Sequence, residues 1–485
     1  MRKVKVRTLY LIAIIVGGLV GLATKSTYAM FTASAEIDNP ICMSTNLTSE
    51  EETIETMEVV VTAGEKKIVP VTINNTSTNT VGYSVWYTSP SDKVKIGIKL
   101  SNSDSSNSTG TISSNGSKKV YVQIINNSTS SVTITLGVIS NKTSNDMTLI
   151  PNTELNFGVN LVTYIKNLYT NATKTTTTVN SVTYNLASSV GLMNDRKGSM
   201  STNIDAGNIR YYGASPNNYI YFNCSDYSNQ TSSTCETWRI VGIFDGKIKL
   251  VRNESIGSYS WDTSASDINS GNGVNEWSQA DLMKLLNSGY ESESVGGSLY
   301  WNAKCGTCYN EKNNTTTACD FTSTGLKNAE TRNMIAETTY YTRGHNSNSI
   351  YVDAMYDKER VSGTVITGVT PTRTLTWTGK IAIPYPSDYG YAADLSLCQQ
   401  QLSSYSDATC TANNWMKEIV APNYGWLLTP SSGSADSAWG VYSSGDVYRY
   451  NAYNTFGVVP VLSLTSELGI ISGSGTSSSP YQLSV

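Results

Sequence analysis

Six short segments in the first third of the chain alternate apolar and polar residues with a period of two. Their apolar positions are Val59/Val61, Val69/Val71/Ile73, Tyr83/Val85/Tyr87, Val94/Ile96/Ile98/Leu100, Val120/Val122/Ile124 and Val132/Ile134/Leu136/Val138. This period places successive side chains on opposite faces of a β-strand. Stretches rich in Ser, Asn and Gly, such as residues 101–110, separate the segments and are typical of turns. The pattern therefore predicts an antiparallel β-sandwich.

The same part of the chain has no cluster of titratable side chains, so we expect a spacer rather than a site. We interpret it as an immunoglobulin-like sandwich over residues 36–165. Residues 166–181 are rich in Thr and Asn and are interpreted as a linker. A second module then occupies residues 182–485, so the predicted fold class is mainly β with an α+β C-terminal module.

The N-terminus has the pattern of an export signal. An apolar run over residues 9–23 follows four basic residues, which are Arg2, Lys3, Lys5 and Arg7. We predict that residues 1–35 are a signal peptide, or else an uncleaved signal anchor that would be the protein's contact with the membrane. Residues 27–37, TYAMFTASAEI, resemble the signal peptides of camelysin-type bacterial biofilm-fibre proteins. The rest of the chain is therefore expected to be secreted or displayed on a bacterial cell surface.

The eight cysteines fit an oxidising compartment. Three close pairs are separated by Ser-, Thr- and Asn-rich segments, namely Cys224/Cys235, Cys308/Cys319 and Cys398/Cys410. This spacing predicts three local loops closed by disulfides. Cys42 and Cys305 remain, and a bond between them is an open alternative. Cys305-Gly306-Thr307-Cys308 also admits a redox or zinc motif, but the loop-forming residues after it and the lack of a second CxxC favour a structural disulfide.

Composition excludes several function classes. Charged residues make up only 15% of the chain, against ~25% in an average globular protein, and the net charge is −4. Nucleic acid is therefore not an expected partner. His345 is the single histidine, so catalytic triads, Cys-His pairs and His-rich metal sites are hard to build. We interpret His345 as an exposed residue of a polar loop, and we predict that the protein is not an enzyme.

One pair of carboxylates admits a catalytic alternative. Asp388 and Asp394 flank an aromatic segment that we expect to be a strand. Paired carboxylates serve glycosidases, but sequence spacing does not fix their separation. We favour turn and cap roles for both residues.

The second module combines strands and short helices. Apolar segments 236–244 and 247–251 meet at Asp245-Gly246, which predicts a hairpin because a type I′ turn requires positive φ at both central positions. Ser278-Gln279-Ala280-Asp281 predicts a capping box ahead of a helix that buries Leu282, Leu285 and Leu286. A second helix is expected over residues 329–337, and a β-rich run over residues 426–464.

These elements together match the C-type lectin-like fold. Five segments carry the resemblance: 238–251, 275–286 (NEWSQADLMKLL), 377–394 (WTGKIAIPYPSDYGYAAD), 426–430 (WLLTP) and 456–464 (FGVVPVLSL). They resemble a family of secreted bacterial domains of uncharacterised function. That family is related in fold to the formylglycine-generating, sulfatase-modifying enzymes and to variable proteins diversified by retroelements. The resemblance implies the fold more strongly than the function, because one fold hosts many functions.

Two activities of these fold relatives do not carry over to this sequence. Formylglycine-generating enzymes bind copper through a pair of cysteines near the C-terminal core, whereas the last cysteine here is Cys410. Calcium-dependent lectins use Glu-Pro-Asn or Gln-Pro-Asp together with Trp-Asn-Asp, and this sequence contains none of the three. We therefore expect no metal and no cofactor, and folding that does not depend on calcium or copper.

The strongest candidate site is the segment 438–454, AWGVYSSGDVYRYNAYN. Aromatic residues alternate there with hydrogen-bonding ones, a mixture typical of an antibody paratope. In the retroelement-diversified relatives this region contacts the ligand. The candidate ligand-binding residues are Trp439, Tyr442, Ser443, Asp446, Tyr448, Arg449, Tyr450, Asn451, Tyr453 and Asn454. A solvated hairpin whose Tyr rings merely cover the sheet is an equally weighted alternative.

Strand alternation refines this site. We predict that residues 439–442 pair with residues 447–451, with Tyr448 and Tyr450 on the contact side and Val447, Arg449 and Asn451 on the other. The leading functional hypothesis is a surface recognition or adhesion protein whose second module binds an extracellular glycan or protein. The alternatives are a structural protein of the cell envelope or biofilm matrix and, behind it, an enzyme of the sulfatase-modifying type.

Overall fold

The computed structural model describes residues 32–33, 41–47, 54–62, 65–99, 107–128, 130–140, 148–153, 155, 158–266, 269–466 and 468–484. The chain divides into two compact units, Met1–Leu155 and Asn156–Val485. Both are built mainly from antiparallel sheets, so the prediction of a mainly-β protein is confirmed. Most of the predicted signal segment 1–35 lies outside the described residues. None of the described helices is long and apolar enough to cross a membrane.

Within the described residues, two sheets form the first unit. In spatial order, one contains Thr32–Ala33, Ile41–Leu47, Lys66–Asn75, Ser117–Asn126 and Val94–Ile98. The other contains Thr148–Leu149, Val81–Thr88, Val132–Ser140 and Ile54–Val61, with Thr109–Ile112 beside Val81–Thr88. Neighbouring strands are antiparallel, except that Ile41–Leu47 runs parallel to Lys66–Asn75.

The two sheets share one aliphatic core, and the period-two pattern identified it. Val59 and Val61 are fully buried, whereas Val60 between them is 50% exposed. Ile73, Val122 and Val138 from other strands join the same core. The alternating positions therefore point inward because the hydrophobic free energy of burial selects one face of each strand.

A ten-stranded sheet, here named the main sheet, forms the centre of the second unit. Its strands are Thr175–Val179, Val182–Ala187, Leu192–Asn194, Ile209–Tyr211, Glu236–Phe244, Lys247–Arg252, Val461–Leu464 and Ile335–Ala336, with Tyr219–Phe222 beside Glu236–Phe244 and Ile381–Ala382 beside Val461–Leu464. Asp245 and Gly246 have φ of 48° and 76° and connect Glu236–Phe244 to Lys247–Arg252. The predicted hairpin is confirmed.

A second sheet of this unit has five strands and is here named the terminal sheet. Its strands, in chain order, are Ser258–Ser260, Gly425–Pro430, Ser437–Val441, Val447–Asn451 and Thr455–Gly457. The described part of this unit also contains three small sheets: Val159–Asn160 with Gly469–Ser472 and Gln482–Ser484, Cys305–Tyr309 with Thr316–Asp320, and Thr338–Tyr341 with Thr376–Gly379. Its α-helices are Leu161–Asn171, Asp281–Leu286, Ala329–Asn333, Val352–Asp357, Pro386–Tyr391, Ala408–Ala412 and Lys417–Val420. Ser188–Val190, Trp277–Gln279 and Leu402–Ser404 form 3₁₀ turns, and Lys358–Ser362 forms a π-helical turn.

The expected linker 166–181 is not a linker. It contains most of the helix Leu161–Asn171, which buries Val162, Ile165 and Tyr169 at helical spacing, and the strand Thr175–Val179. Asn160 caps the helix by accepting a hydrogen bond from the Thr163 amide at 3.0 Å. The Thr/Asn-rich composition obscured this apolar stripe, and both elements belong to the second unit.

Local details of two other helices differ from their predictions. The helix Asp281–Leu286 buries Leu282, Leu285 and Leu286 as expected, but no side chain caps it. Asp281 instead accepts hydrogen bonds from the amide and hydroxyl of Thr263 at 2.9 and 2.8 Å. The second helix ends at Asn333 rather than at residue 337, because Ile335–Ala336 joins the main sheet.

Three disulfides close local loops in the second unit. They join Cys224 to Cys235, Cys308 to Cys319 and Cys398 to Cys410, as the spacing predicted. Cys305 is exposed with a free thiol. The side chain of Cys42 lies outside the described residues.

Candidate functional site

The predicted C-terminal hairpin is present in the terminal sheet. Ser437–Val441 pairs with Val447–Asn451 in a register that places Trp439 opposite Arg449 and Gly440 opposite Tyr448. The turn closes where the Tyr442 amide donates to the Asp446 carbonyl and the Gly445 amide donates to the Tyr442 carbonyl, both at 2.8 Å. Gly445 has φ of 105°, a conformation that strongly favours glycine.

One side of this hairpin carries a continuous group of aromatic rings. We name the group the aromatic face; it consists of Tyr424, Tyr442, Tyr448, Tyr450 and Phe456. Tyr424 is 40% exposed, and the other four are partly exposed. Tyr448 and Tyr450 share this side, as strand alternation predicted.

The rings contact one another in edge-on and stacked pairs. The Tyr442 centroid lies 5.1 Å from that of Tyr450 and 5.5 Å from that of Tyr448. Tyr424 stacks on Phe456 at 5.1 Å, and Tyr450 meets Phe456 edge-on at 4.8 Å. Such geometries are favourable for aromatic pairs, so the rings support one another.

Sequence reasoning missed Tyr424 and Phe456 as members of this site. They lie 32 residues apart in sequence and meet because Gly425 pairs with Gly457 in a parallel register. The Gly457 amide donates to the Tyr424 carbonyl at 2.8 Å and fixes this contact. The sequence does show two aromatic residues, Tyr424 and Trp426, at the spacing of one strand face. It does not show the parallel pairing that brings Phe456 next to them.

Trp439 was wrongly placed among the ligand-binding residues. Its side chain is fully buried on the opposite side of the hairpin, packed with Val441 and Val447. The indole nitrogen donates to the His345 carbonyl at 3.2 Å, and the His345 ring stacks on the indole. His345 is therefore half-buried rather than an exposed loop residue, and burial lowers its pKa.

Arg449 lies on the Trp439 side, away from the aromatic face. Its guanidinium stands 5.8 Å from the Trp439 ring and donates to Asn346 and Asn348. Asn451 shares this side, as predicted, and accepts from the Ser437 hydroxyl at 3.3 Å. Arg449 thus holds the loop of Asn346 and Asn348 against the hairpin, whereas the Asn451 hydrogen bond lies within the hairpin.

The other candidates occupy the turns at the two ends of the strand Val447–Asn451. Asp446 accepts from the Ser406 amide at 2.7 Å, so it anchors a neighbouring loop, while Ser443 is exposed at the tip. The Tyr453 amide donates to the Asn272 carbonyl at 3.2 Å, and the Asn454 amide donates to the Asn451 carbonyl at 3.0 Å. Of the ten candidates, the fold thus gathers Tyr442, Tyr448 and Tyr450 on one surface.

A second constellation lies in the interior, away from the predicted site. Asp388 belongs to the helix Pro386–Tyr391, not to a strand, and its carboxylate pairs with Arg210 at 2.8 Å and with Lys249. Arg210 also pairs with Asp195 at 2.5 Å. Glu359 pairs with Arg360. The Ser387 hydroxyl, in the same helix as Asp388, donates to Glu359 and accepts from Arg360, so it links this pair to that helix.

These buried charges shift one another's pKa values. Burial acts to raise the pKa of Asp388, but Lys249, Arg210 and Arg360 more than offset it and hold that pKa well below its usual range. Burial lowers the pKa of Lys249 to about 8, although Asp388 opposes the shift. Asp388 also caps its own helix by accepting from the Tyr385 amide at 3.0 Å, so the predicted cap role is one of its two roles.

Asp394 stands apart from Asp388. It accepts hydrogen bonds from the amide and hydroxyl of Ser396 at 2.9 and 2.6 Å, the geometry of a turn. Within the described part of the chain, no three His, Cys, Asp or Glu side chains are grouped as metal ligands.

Comparisons with known proteins leave the site without a named precedent. No family model matches the chain, and no curated protein matches it. A solved structure, the periplasmic inhibitor of g-type lysozyme PliG from Aeromonas hydrophila, aligns with 20% of this chain and 98% of its own at 10% identity and a TM-score of 0.12. A similarity at this level carries no inference about the fold or the function of this chain.

Proposed function

We propose that the protein is an extracytoplasmic recognition protein, with an immunoglobulin-like sandwich followed by a C-type lectin-like module whose aromatic face binds a glycan or protein. The observation that carries the proposal is the aromatic face itself. Five mutually packed rings are partly exposed on one side of the terminal sheet. Tyr and Phe rings with a rigid support provide large contact area at low entropic cost, and Tyr hydroxyls add hydrogen bonds.

The cysteines support the compartment part of the proposal. Three disulfides in one chain are typical of an oxidising environment such as the cell exterior. The basic and apolar N-terminal pattern agrees with export. We propose that the protein is secreted or held at the surface of a bacterial cell, and that its folding needs neither calcium nor copper.

Array binding of the whole chain tests the proposal. We expect the wild-type protein to bind a restricted set of glycans or extracellular proteins. Tyr424→Ala and Tyr442→Ala should each weaken that binding by about 1–2 kcal/mol, the scale of an aromatic anchor. Leu375→Ala is the matched control, because Leu375 is 39% exposed, close to the 40% of Tyr424, but lies outside the aromatic face.

Tyr450→Ala needs a stability measurement beside the binding measurement. Tyr450 packs against the buried core of the unit as well as against Tyr442, so its truncation should also lower the free energy of unfolding. Tyr448→Ala loses one hydrogen bond, from its hydroxyl to the Ser403 carbonyl at 3.3 Å.

Normal binding by folded Tyr424→Ala and Tyr442→Ala variants would refute the aromatic face as the binding site, and no binding at all would favour a structural matrix protein.

A further inference from the structure

A cavity of about 200 Å³ opens beside the main sheet, next to the buried charges. We name it the cationic pocket. Its lining includes Lys249 and Arg360, together with four rings from separate parts of the unit: Phe244, Tyr340, Tyr356 and Tyr385. It shares no residue with the aromatic face.

The cations stand between the cavity and their acidic partners. The side chains of Lys249 and Arg360 are 6% and 10% exposed, whereas those of Asp388 and Glu359 are at most 1% exposed. Asp388 and Glu359 do not line the cavity, so these two carboxylates lie behind their cations; Lys197 and Asp245 also belong to the lining. At the wall formed by Lys249 and Arg360, an incoming molecule therefore meets N–H donors before carboxylates, even though the charges of the four ion pairs balance as a whole.

Both cations keep hydrogen-bonding capacity. Among the described residues, Arg360 donates from Nη1 alone, to Glu359 and Ser387, which leaves Nε and Nη2. That edge of a guanidinium binds both oxygens of a carboxylate. The Lys249 ammonium donates to Asp388 among the described residues and has two further N–H groups.

The walls and mouth of the cavity suit a ring. The Lys249 ammonium lies 5.0 Å from the Phe244 centroid and 4.9 Å from that of Tyr385. Met200, Tyr341 and Val361 at the lining are three of the nine large apolar side chains that are exposed among the described residues. Exposed apolar groups concentrated at one cavity mark a ligand site. The π-helical turn Lys358–Ser362, which carries Arg360 and Val361, is of a kind found at functional sites.

We propose that the cationic pocket binds a small molecule that carries a carboxylate on a six-membered ring, with the carboxylate on Arg360 and Lys249 and the ring between the aromatic walls. A volume near 200 Å³ is below that of sites for drug-sized ligands, so it admits about one ring. The ring is that of an acidic sugar or of an aromatic acid, and both present the same carboxylate.

Calorimetry on the whole chain tests this assignment with four probes. Glucuronate and benzoate are the two acids, and glucose and benzyl alcohol are their neutral counterparts. We expect one acid to bind at least tenfold more tightly than its counterpart, and the acid that does so identifies the ring. Absence of binding by both acids at millimolar concentration would overturn the proposal.

Two variants locate the site. Arg360→Gln should weaken acid binding at least tenfold, but it leaves Glu359 buried without its partner and so carries a folding risk. Val361→Trp avoids this risk, because Val361 is 53% exposed and its enlargement blocks the cavity. Leu397→Trp is the matched control, also 53% exposed and outside the lining. Acid binding that survives Val361→Trp would contradict the assignment.

The pH profile supplies an independent readout. Lys249 is faced by Asp388, Arg210, Arg360 and Tyr385, and its pKa is about 8 in the free protein. Acid binding should weaken as the pH rises above about 8, because the ammonium loses its proton. Tyr442→Ala should leave acid binding unchanged, so failure of the cationic pocket and failure of the aromatic face are distinguishable.

Discussion

The interiors of the two units are built from different side chains. The core cluster of Met1–Leu155 consists of Val, Ile, Leu, Met and Tyr, with Trp86 as a further buried side chain, and the buried polar side chains are Asn, Gln and Ser in the described residues. The unit Asn156–Val485 buries tryptophans, three disulfides and a chain of ion pairs through Asp195, Arg210, Asp388 and Lys249. An aliphatic core keeps most of its stability when apolar residues of similar size are exchanged. A buried charged side chain, by contrast, destabilises the fold when one of its charged partners is removed.

The largest effect should come from breaking the ion network. Arg210→Met should lower the free energy of unfolding of the second unit by about 3–5 kcal/mol, because Asp195 then loses its cation inside the protein. Lys417→Ala is the control in the same unit; its partner Glu418 is 79% exposed, so the expected loss is about 0–1 kcal/mol. Urea unfolding followed by tryptophan fluorescence measures this unit, since Trp86 is the one tryptophan of the nine that lies in the first. A loss below 1 kcal/mol for Arg210→Met would remove the contrast between the two cores.

Removal of a disulfide should have the next largest effect. The double variant Cys398→Ala/Cys410→Ala opens a loop with a sequence separation of 12 and should cost the second unit about 2–4 kcal/mol, mainly by freeing the unfolded chain. Cys305→Ala should leave the free energy of unfolding unchanged, because that thiol is exposed and unpaired. Non-reducing peptide mapping checks the three bonds directly, and free thiols at those six positions would contradict both the pairing and the compartment.

A smaller effect should come from the aliphatic core. Val59→Ala should lower the free energy of unfolding of the first unit by about 2 kcal/mol, through lost burial and a residual cavity. Val60→Ala should change it by less than about 0.5 kcal/mol, because that side chain is half exposed on the other side of the same strand. Circular dichroism during urea unfolding measures both, and equal effects would show that the alternation does not define the core.

Features set by neighbouring residues were predictable. Val59 and Val61 point inward because a strand repeats every two residues, and Asp245-Gly246 turns because both residues adopt positive φ. The three disulfides close short loops, so their pairing follows from proximity in sequence. The shared side of Tyr448 and Tyr450 likewise follows from strand geometry alone.

Features that join distant segments were not predictable. Nothing near Trp439 in sequence distinguishes a buried indole from an exposed one, since its burial depends on Val447 and on the loop of His345. Tyr424 and Phe456 become neighbours only through a parallel strand pair.

The mainly-β class, the faces of the strands and the local disulfides follow from the amino-acid order alone, because each depends on residues that are close together in the chain. Long-range packing sets which aromatic rings share a surface, and it brings Arg210, Lys249 and Asp388 into one network. Asp388 lies 178 residues from Arg210 and 139 from Lys249. Charges so far apart in sequence are brought together by packing of the apolar core, which also supplies the low-dielectric surroundings that make their pairing strong.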